Sequence, residues 1–387
     1  MSRKVLVVIG QLETGGTERH LLSVLPALNE GDFEISVYVM RGGGALEGAV
    51  QAAGVNVVSP AHHSRRWLGL ARTAVHFRST LRKMRPDILH FFLPEAYLLG
   101  GYCSFFGPDC VRMMSRRSLN YYQDKWPFAA MLERFLHRRM QLVVANSRAV
   151  ADQLRDEGVP PARLEIIYNG VVEPSAEILT KHSVSRTGLG VPDAACVIAV
   201  VANLIEYKGH ADVINALQIA QGAITGPWVV LMIGRGPLRA ELQRLAESAG
   251  ISANVLWLDS VDEVQPYLAI ADMAVLASHE EGFSNALLES MAAGRPVIAT
   301  AVGGNVEAVV EEETGLLVPQ KNPQRLSEAI LRLTSDAERR ETMGRAGRER
   351  AAREFSMARC VEAYRRLYNA DAGQSAAPLQ DVINTHD

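Results

Sequence analysis

A chain of 387 residues exceeds what one hydrophobic core usually serves, so its length favours two domains of roughly 150 to 200 residues. Apolar residues make up 48% and charged residues 21%, which excludes collagen-like and disordered compositions. A net charge of -3 argues against a protein that coats nucleic acid, and no nucleic-acid partner is expected.

The basic pair Arg3-Lys4 is followed by the apolar run Val5 to Ile9, too short for the core of a signal peptide. It reads as a first buried strand. Behind it, Gly15 and Gly16 precede the apolar-periodic Leu21 to Leu25. A strand, glycines and a helix start together present backbone N–H groups to an anion, although a tight turn needing positive φ accounts for the same residues. Further short apolar runs follow at Ile35 to Met40, Val55 to Ser59, Ile88 to Phe92, Val111 to Met114 and Leu142 to Ala145, separated by helical patterns.

From His62 to Arg85 the chain carries Arg65, Arg66, Arg72, Arg78, Arg82, Lys83 and Arg85 with no acidic residue, interleaved with Trp67, Leu70, Val75 and Phe77. A basic amphipathic segment reads as a membrane-surface helix or as a solvated helix face. The stretch 112–139, with Arg116, Arg117, Tyr121, Tyr122, Trp126, Arg138 and Arg139, reads the same way. Docking on an anionic membrane surface through 62–85 and 112–139 is therefore an expectation.

Glu173 to Pro192 is rich in proline, serine and glycine and lacks an apolar period, so it reads as a linker. The strand grammar then restarts with Val197 to Ala202, Trp228 to Ile233, Val255 to Leu258, Met273 to Ala277, Val297 to Thr300 and Gly315 to Val318. Strand–helix–strand repetition predicts parallel sheets covered on both faces, hence an α/β chain with two similar domains. Open parallel sheets bind ligands beyond the carboxyl ends of their strands, so a cleft between the domains is the expected site. Ile233-Gly234-Arg235-Gly236-Pro237 follows one of these strands and reads equally as punctuation or as ligand contact. Residues 371–387 are polar, contain Pro378 and read as a frayed tail. The four cysteines lack zinc or redox spacing and suit a reducing cytoplasm; no apolar run approaches the roughly 18 residues needed to span a bilayer.

The most informative segment runs from Ser278 to Pro296. Ser284 or Asn285 can cap a helix that reaches Ala293, with Gly294 at its stop and Pro296 preventing continuation. Glu281 then stands just ahead of the helix and Glu289 inside it. Free N–H groups at that start favour a diphosphate or sugar oxygens, and carboxylates accept hydrogen bonds from sugar and ribose hydroxyls. Acidic residues near a helix N-terminus also stabilise its dipole with no ligand, which accounts for Glu280.

The Glu281 to Glu289 motif, with Gly282-Phe283-Ser284-Asn285 inside it and Ala292-Ala293-Gly294-Arg295-Pro296 after it, resembles family 4 of the retaining glycosyltransferases of GT-B fold (glycosyl transferases group 1). Softer matches run in order along almost the whole chain: Gly15-Gly16-Thr17-Glu18-Arg19, Val144-Ala145-Asn146-Ser147, Ile167-Tyr168-Asn169-Gly170, Ala202-Asn203-Leu204 through Lys208-Gly209, and Gly234-Arg235-Gly236-Pro237. The resemblance implies two Rossmann-like α/β domains facing a central cleft: an acceptor domain over 1–180, a donor domain over 181–352, a helix over 353–370 returning to the first domain, and a flexible tail over 371–387. It implies a metal-independent hexosyl- or acetylhexosaminyl-transferase, without cofactor, acting in cell-surface polysaccharide or glycolipid synthesis. The donor would be a nucleotide-sugar, a UDP-sugar ahead of GDP-mannose, and the acceptor a glycan or a lipid-linked sugar. The protein would be cytoplasmic, peripheral on the inner face of the plasma membrane.

Carried over by residue, Glu281 would hold the donor sugar and Lys208 would neutralise the diphosphate, so these two carry the catalysis. Gly15, Gly16, Asn203, Gly234, Phe283, Ser284, Asn285 and Glu289 would complete the donor site, with Glu289 on the ribose and base contacts near Asp259 to Asp262. Two departures stand out. Asn203 occupies a position often held by arginine, and Ser115-Arg116-Arg117-Ser118 stands where many members have a histidine after the fifth strand. Arg116 and His90 are the candidates on the acceptor side. A non-catalytic nucleotide-sugar-binding subunit and a same-fold epimerase are the alternatives; a nicotinamide oxidoreductase lacks its glycine fingerprint.

Overall fold

The computed structural model describes residues 2–60, 66–119, 123, 126–181 and 183–370. The expected tail 371–387, Arg65, Tyr121 and Tyr122 lie outside the described residues. The strands are β1 (Arg3–Ile9), β2 (Phe33–Val39), β3 (Asn56–Val58), β4 (Ile88–Phe92), β5 (Val111–Arg116), β6 (Leu142–Ala145), β7 (Leu164–Ile166), β8 (Cys196–Val201), β9 (Trp228–Ile233), β10 (Val255–Leu258), β11 (Met273–Leu276), β12 (Val297–Thr300) and β13 (Gly315–Val318). The helices of eight residues or more are α1 (Gly16–Asn29), α2 (Arg66–Met84), α3 (Pro127–His137), α4 (Arg148–Asp156), α5 (His210–Ala220), α6 (Arg239–Ser248), α7 (Asn285–Ala292), α8 (Pro323–Thr334), α9 (Ala337–Glu354) and α10 (Met357–Asn369).

The chain forms two compact units: Met1–Asn169 with Met357–Asp387, and Gly170–Ser356. The first holds a parallel sheet in the order β3-β2-β1-β4-β5-β6-β7, the second a parallel sheet in the order β10-β9-β8-β11-β12-β13. The α/β class with two Rossmann-like units is borne out. Val5 to Ile9 and Val197 to Val200 are buried at every position, which a parallel sheet covered on both faces requires and which makes its strands continuous apolar runs. In each sheet the strand order reverses beside the first strand of the unit, between β1 and β4 and between β8 and β11. Loops at the carboxyl ends of those strand pairs border a ligand crevice.

The segment expected to be a linker is instead an anchored part of the second unit. Arg186 donates from Nε and Nη2 to the Ile270 carbonyl at 3.1 and 2.9 Å, and from Nη2 to Asp272 Oδ2 at 2.9 Å. Its polar composition reflects a surface held by an arginine, not a chain without contacts. Where the chain enters and leaves this unit its two passes are bonded, Val171 N to Phe355 O at 2.8 Å. Helix α10 belongs to the first unit and starts at Met357, because 337–354 is occupied by α9 of the second. It packs on α1, with Tyr364 and Tyr368 buried and Arg365 Nη2 donating to Ala27 O at 2.7 Å.

Candidate functional site

In the second unit the loops after β8 and β11, the strands flanking the reversal of order, bring Lys208 and Glu281 together. Lys208 Nζ lies 2.5 Å from Glu281 Oε1, and Ser278 Oγ donates to the same oxygen at 2.8 Å. Glu281 is 8% exposed, so the pair is largely out of water. Burial pulls the Lys208 ammonium toward neutrality, but the Glu281 carboxylate, together with Tyr207 and Glu280, outweighs it and raises the group above its ordinary range. Lys208 is a fixed cation.

Glycine sets this spacing. Gly209 has φ +67°, and a Cβ there would collide with the Ala277 carbonyl oxygen, so the turn that carries Lys208 lies against the end of β11. The β11 loop is tied down further by His279 N donating to Tyr207 O at 2.7 Å and His279 Nε2 meeting Asp212 Oδ2 at 2.7 Å. Thr300 Oγ1 donates to Ser278 O at 2.5 Å.

Just beyond Glu281 the chain enters α7. Ser284 is its N-cap, in extended conformation, with Oγ accepting from Leu287 N at 3.3 Å. The expected stop holds as well, with Gly294 at φ +69°. Leading N–H groups of a helix lack partners within it and carry its positive end, so the start of α7 is an anion-favouring surface beside a lysine. The Phe283 ring rests on Phe355 with centroids 5.3 Å apart, which fixes the backbone of 283–285. Glu289 is half-buried within α7, two turns beyond Glu281. Asn203 is exposed in the β8 loop, where Ala202 N and Leu204 N donate to Ile233 O and Arg235 O at 3.1 and 2.9 Å. Gly234 lies directly against the Ala202 carbonyl, so close packing of the two loops already requires a glycine there.

In the first unit Gly15 caps α1 and Gly16 opens it after β1. A side chain at Gly15 would meet the Glu18 carboxylate, which folds back over the turn and whose pKa burial raises. His90, on β4, is fully buried, with Nδ1 2.8 Å from Tyr368 Oη and Nε2 2.8 Å from Ser115 Oγ. Burial, helped by the Arg117 charge, pushes its pKa down to about 3, so it is neutral at physiological pH with both ring nitrogens engaged. Arg116 is 5% exposed and bridges Glu157 at 2.5 Å and Glu133 at 3.2 Å under the sheet. Burial would raise Glu157, but His137 and Arg116 hold it at about 2. Both acceptor-side candidates are thus internal supports, out of reach of an acceptor.

The residue overlooked beside them is Arg117. Successive side chains of a strand point to opposite faces, so Arg117 continues the Ser115 side of the sheet rather than the Arg116 side, and as the first residue beyond β5 it is half-exposed. Asn146 Nδ2 donates to its carbonyl at 3.2 Å, and Arg117 Nη2 donates to Asn169 Oδ1 at 2.7 Å. Two asparagines that sequence reasoning held only as motif matches therefore fix its backbone and its guanidinium. Among the described residues no group of three or more His, Cys, Asp or Glu is arranged to hold a metal ion, and no helix is long and apolar enough to cross a membrane.

Comparison with known proteins agrees with this layout. Residues 14–173 match the model of Glycosyltransferase Family 4, and residues 184–350 match that of Glycosyl transferases group 1. The chain is 25% identical over 356 residues to the lipopolysaccharide core biosynthesis glycosyltransferase LpsE of Rhizobium meliloti, covering 91% of this chain and 95% of that one. It is 33% identical to the D-inositol 3-phosphate glycosyltransferase of Corynebacterium urealyticum over 242 residues, 58% of this chain and 56% of that one. Among solved structures, Anabaena Alr3699/HepE in complex with UDP-glucose superposes with a TM-score of 0.82 at 20% identity, over 94% of this chain and 99% of that one.

Proposed function

The chain belongs to glycosyltransferase family 4 (glycosyl transferases group 1, GT-B fold), and from that premise we propose that it transfers a hexosyl or acetylhexosaminyl group from a nucleotide-sugar with retention of configuration. A UDP-sugar is the first candidate donor and a lipid-linked sugar or glycan the acceptor, in cell-surface polysaccharide or glycolipid synthesis. The observation that carries the reading is the Lys208 ammonium, 2.5 Å from Glu281, beside the start of α7. Preorganised positive charge accelerates a reaction whose leaving group gains negative charge, and a departing nucleoside diphosphate is such a group.

In this reading the diphosphate rests on the first turn of α7 at Phe283, Ser284 and Asn285 and takes Lys208 as its counterion. Glu281 then exchanges the ammonium for a donor sugar hydroxyl, while Ser278 keeps its carboxylate oriented. Glu289 accepts from the ribose hydroxyls. Asn203 and Gly234 line the phosphate approach in the second unit, and in the first unit Arg117 replaces Arg116 as the acceptor-side cation. The bond from C1 to the phosphate oxygen breaks and an acceptor oxygen bonds C1 on the same face. The acceptor proton passes to the departing phosphate oxygen. Lys208 and the helix start supply the charge, so no metal is required. Proton NMR of the first sugar released from UDP-α-glucose tests the stereochemistry: the α-anomer is expected, and initial β-anomer would overturn retention.

A further inference from the structure

In the proposed transfer Glu281 leaves the Lys208 ammonium for a donor sugar hydroxyl, and Lys208 must keep its place without that anchor. It stands at the end of a 3-10 turn, Glu206–Lys208, that joins the β8 loop to α5. The contact of Gly209 with the Ala277 carbonyl sets how near this turn can lie to β11. A steric contact of that kind does not keep the turn from moving away.

His279 supplies the hold, through two bonds that straddle Lys208. Its backbone N–H donates to Tyr207 O at 2.7 Å, and its ring Nε2 lies 2.7 Å from Asp212 Oδ2 on α5. Tyr207 precedes Lys208 and Asp212 follows it, so one residue of the β11 loop grips the chain on both sides of the cation. The side chains of His279 and Asp212 are 21% and 18% exposed, which leaves water a small share in the contact. Asp212 lies in the first turn of α5, behind the N-cap Gly209, where a carboxylate commonly folds back on the helix's own leading N–H groups. Its Oδ2 reaches across to the β11 loop instead. Stabilising the helix start does not require a histidine opposite. Both the Nε2–H tautomer and the imidazolium donate to a carboxylate, so the contact needs a donor at 279 and an acceptor at 212 and no particular charge.

We propose that His279 and Asp212 are positioning residues for transfer: their contact is a clasp that holds the Lys208 turn against the β11 loop once the donor has displaced the ammonium from Glu281. The inference rests on the transfer reading, in which Lys208 neutralises the departing diphosphate. Neither residue meets the donor itself; both act through Lys208. Misplacing a group by about 1 Å can lower a rate about 100-fold, which sets the scale of the effect.

Release of UDP from UDP-glucose and from UDP-N-acetylglucosamine, and of GDP from GDP-mannose, by the full chain tests the clasp. His279→Leu and Asp212→Leu should each lower kcat by about 10- to 100-fold, and by more than they raise KM for the donor. His279→Gln and Asp212→Asn keep a donor and an acceptor, and should hold kcat within a few-fold of wild type. Combining the two Leu substitutions should cost no more than either alone, because a single contact is lost. Adding Lys208→Ala to His279→Leu should cost much less than Lys208→Ala costs the wild type, since the ammonium is already out of place. A role in stability alone would multiply the two losses. Circular dichroism establishes folding, and either Leu variant that folds decides. The clasp is overturned, with the transfer reading intact, if Lys208→Ala loses turnover while the folded Leu variants keep it, if the Gln and Asn variants lose as much as the Leu ones, or if the His279→Leu and Lys208→Ala losses multiply. Turnover unchanged in Lys208→Ala itself overturns the transfer reading, and the clasp with it.

Discussion

Removing one partner of the Lys208–Glu281 pair should cost the second unit more than removing both. Lys208→Ala leaves a carboxylate that is 8% exposed with Ser278 but without its ammonium. Breaking a buried pair from one side costs about 3–5 kcal/mol. Because 18% of the Lys208 side chain and 9% of the Glu281 side chain reach solvent, about 2–3 kcal/mol is the better figure. For a unit of this size that is a fall in Tm of roughly 5–10 °C. Glu281→Gln alone leaves the ammonium without its anion and costs a similar amount. The double variant carries no charge to strand, so it should recover about 1–3 kcal/mol relative to the sum of the singles. Thermal and urea melts of the four proteins measure the coupling, and donor turnover should fall by about 10²–10³ in all three variants. Additive stability losses would refute the buried pair, and turnover within a few-fold of wild type in Lys208→Ala would refute its role in leaving-group departure.

The neighbouring arginines should part company: Arg116→Ala strands Glu133 and Glu157 in the interior and should cost about 3–5 kcal/mol of first-unit stability, whereas Arg117→Ala removes one donor from the buried Asn169 oxygen and should cost about 1–2 kcal/mol while losing transfer. Gly209→Ala places a Cβ on the Ala277 carbonyl at a φ of +67°, so it should destabilise the second unit and reduce turnover together, read by melting and by rate. Acidification should destabilise the fold between about pH 6.5 and 4. His90 and His210 titrate near 3 and 4 when folded, because burial disfavours their charge, so in that window the unfolded chain binds more protons and stability falls with pH. Each contributes up to about 1.4 kcal/mol per pH unit, and His90→Gln should flatten the slope of Tm against pH. Donor turnover should survive exhaustive EDTA treatment, since Lys208 supplies the charge; loss restored by Mg²⁺ or Mn²⁺ would contradict that.

The strands were legible because a doubly covered parallel strand is one apolar run with glycine or polar residues at its ends. The exception is β7, a Leu-Glu-Ile triplet after Pro160-Pro161, too short to show a pattern. The start of α7 was legible for a similar local reason: Ser284, Gly294 and Pro296 punctuate it within a few residues of one another. What composition concealed was contact. Glu173 to Pro192 looks like a linker until Arg186 is seen holding Ile270 and Asp272. Lys208 and Glu281 are 73 residues apart, so their pairing depends on β8 and β11 being sheet neighbours. Arg116 and Arg117 are equally basic in sequence, and only the buried ion pairs of Arg116 and the end of β5 after it tell which one reaches solvent. Of the outward aromatics at α3 only Trp126 stood out in the basic stretch 112–139; the side on which Phe128 and Phe135 lie follows from Glu133 and His137 pairing within the fold.

The most direct test of the account is a melting series with UDP-, GDP- and ADP-sugars and with the bare nucleotides on the wild type and on Lys208→Ala, Glu281→Gln and Glu289→Ala. A ligand that binds only the folded state stabilises it by mass action, by about 2.7 kcal/mol at a hundredfold excess over Kd. The account predicts that one donor class raises the wild-type Tm, that Lys208→Ala and Glu289→Ala lose the rise, and that Glu281→Gln still responds to the bare nucleotide. No response to any donor, or the same response in all four proteins, would contradict a donor site built on Lys208, Glu281 and α7.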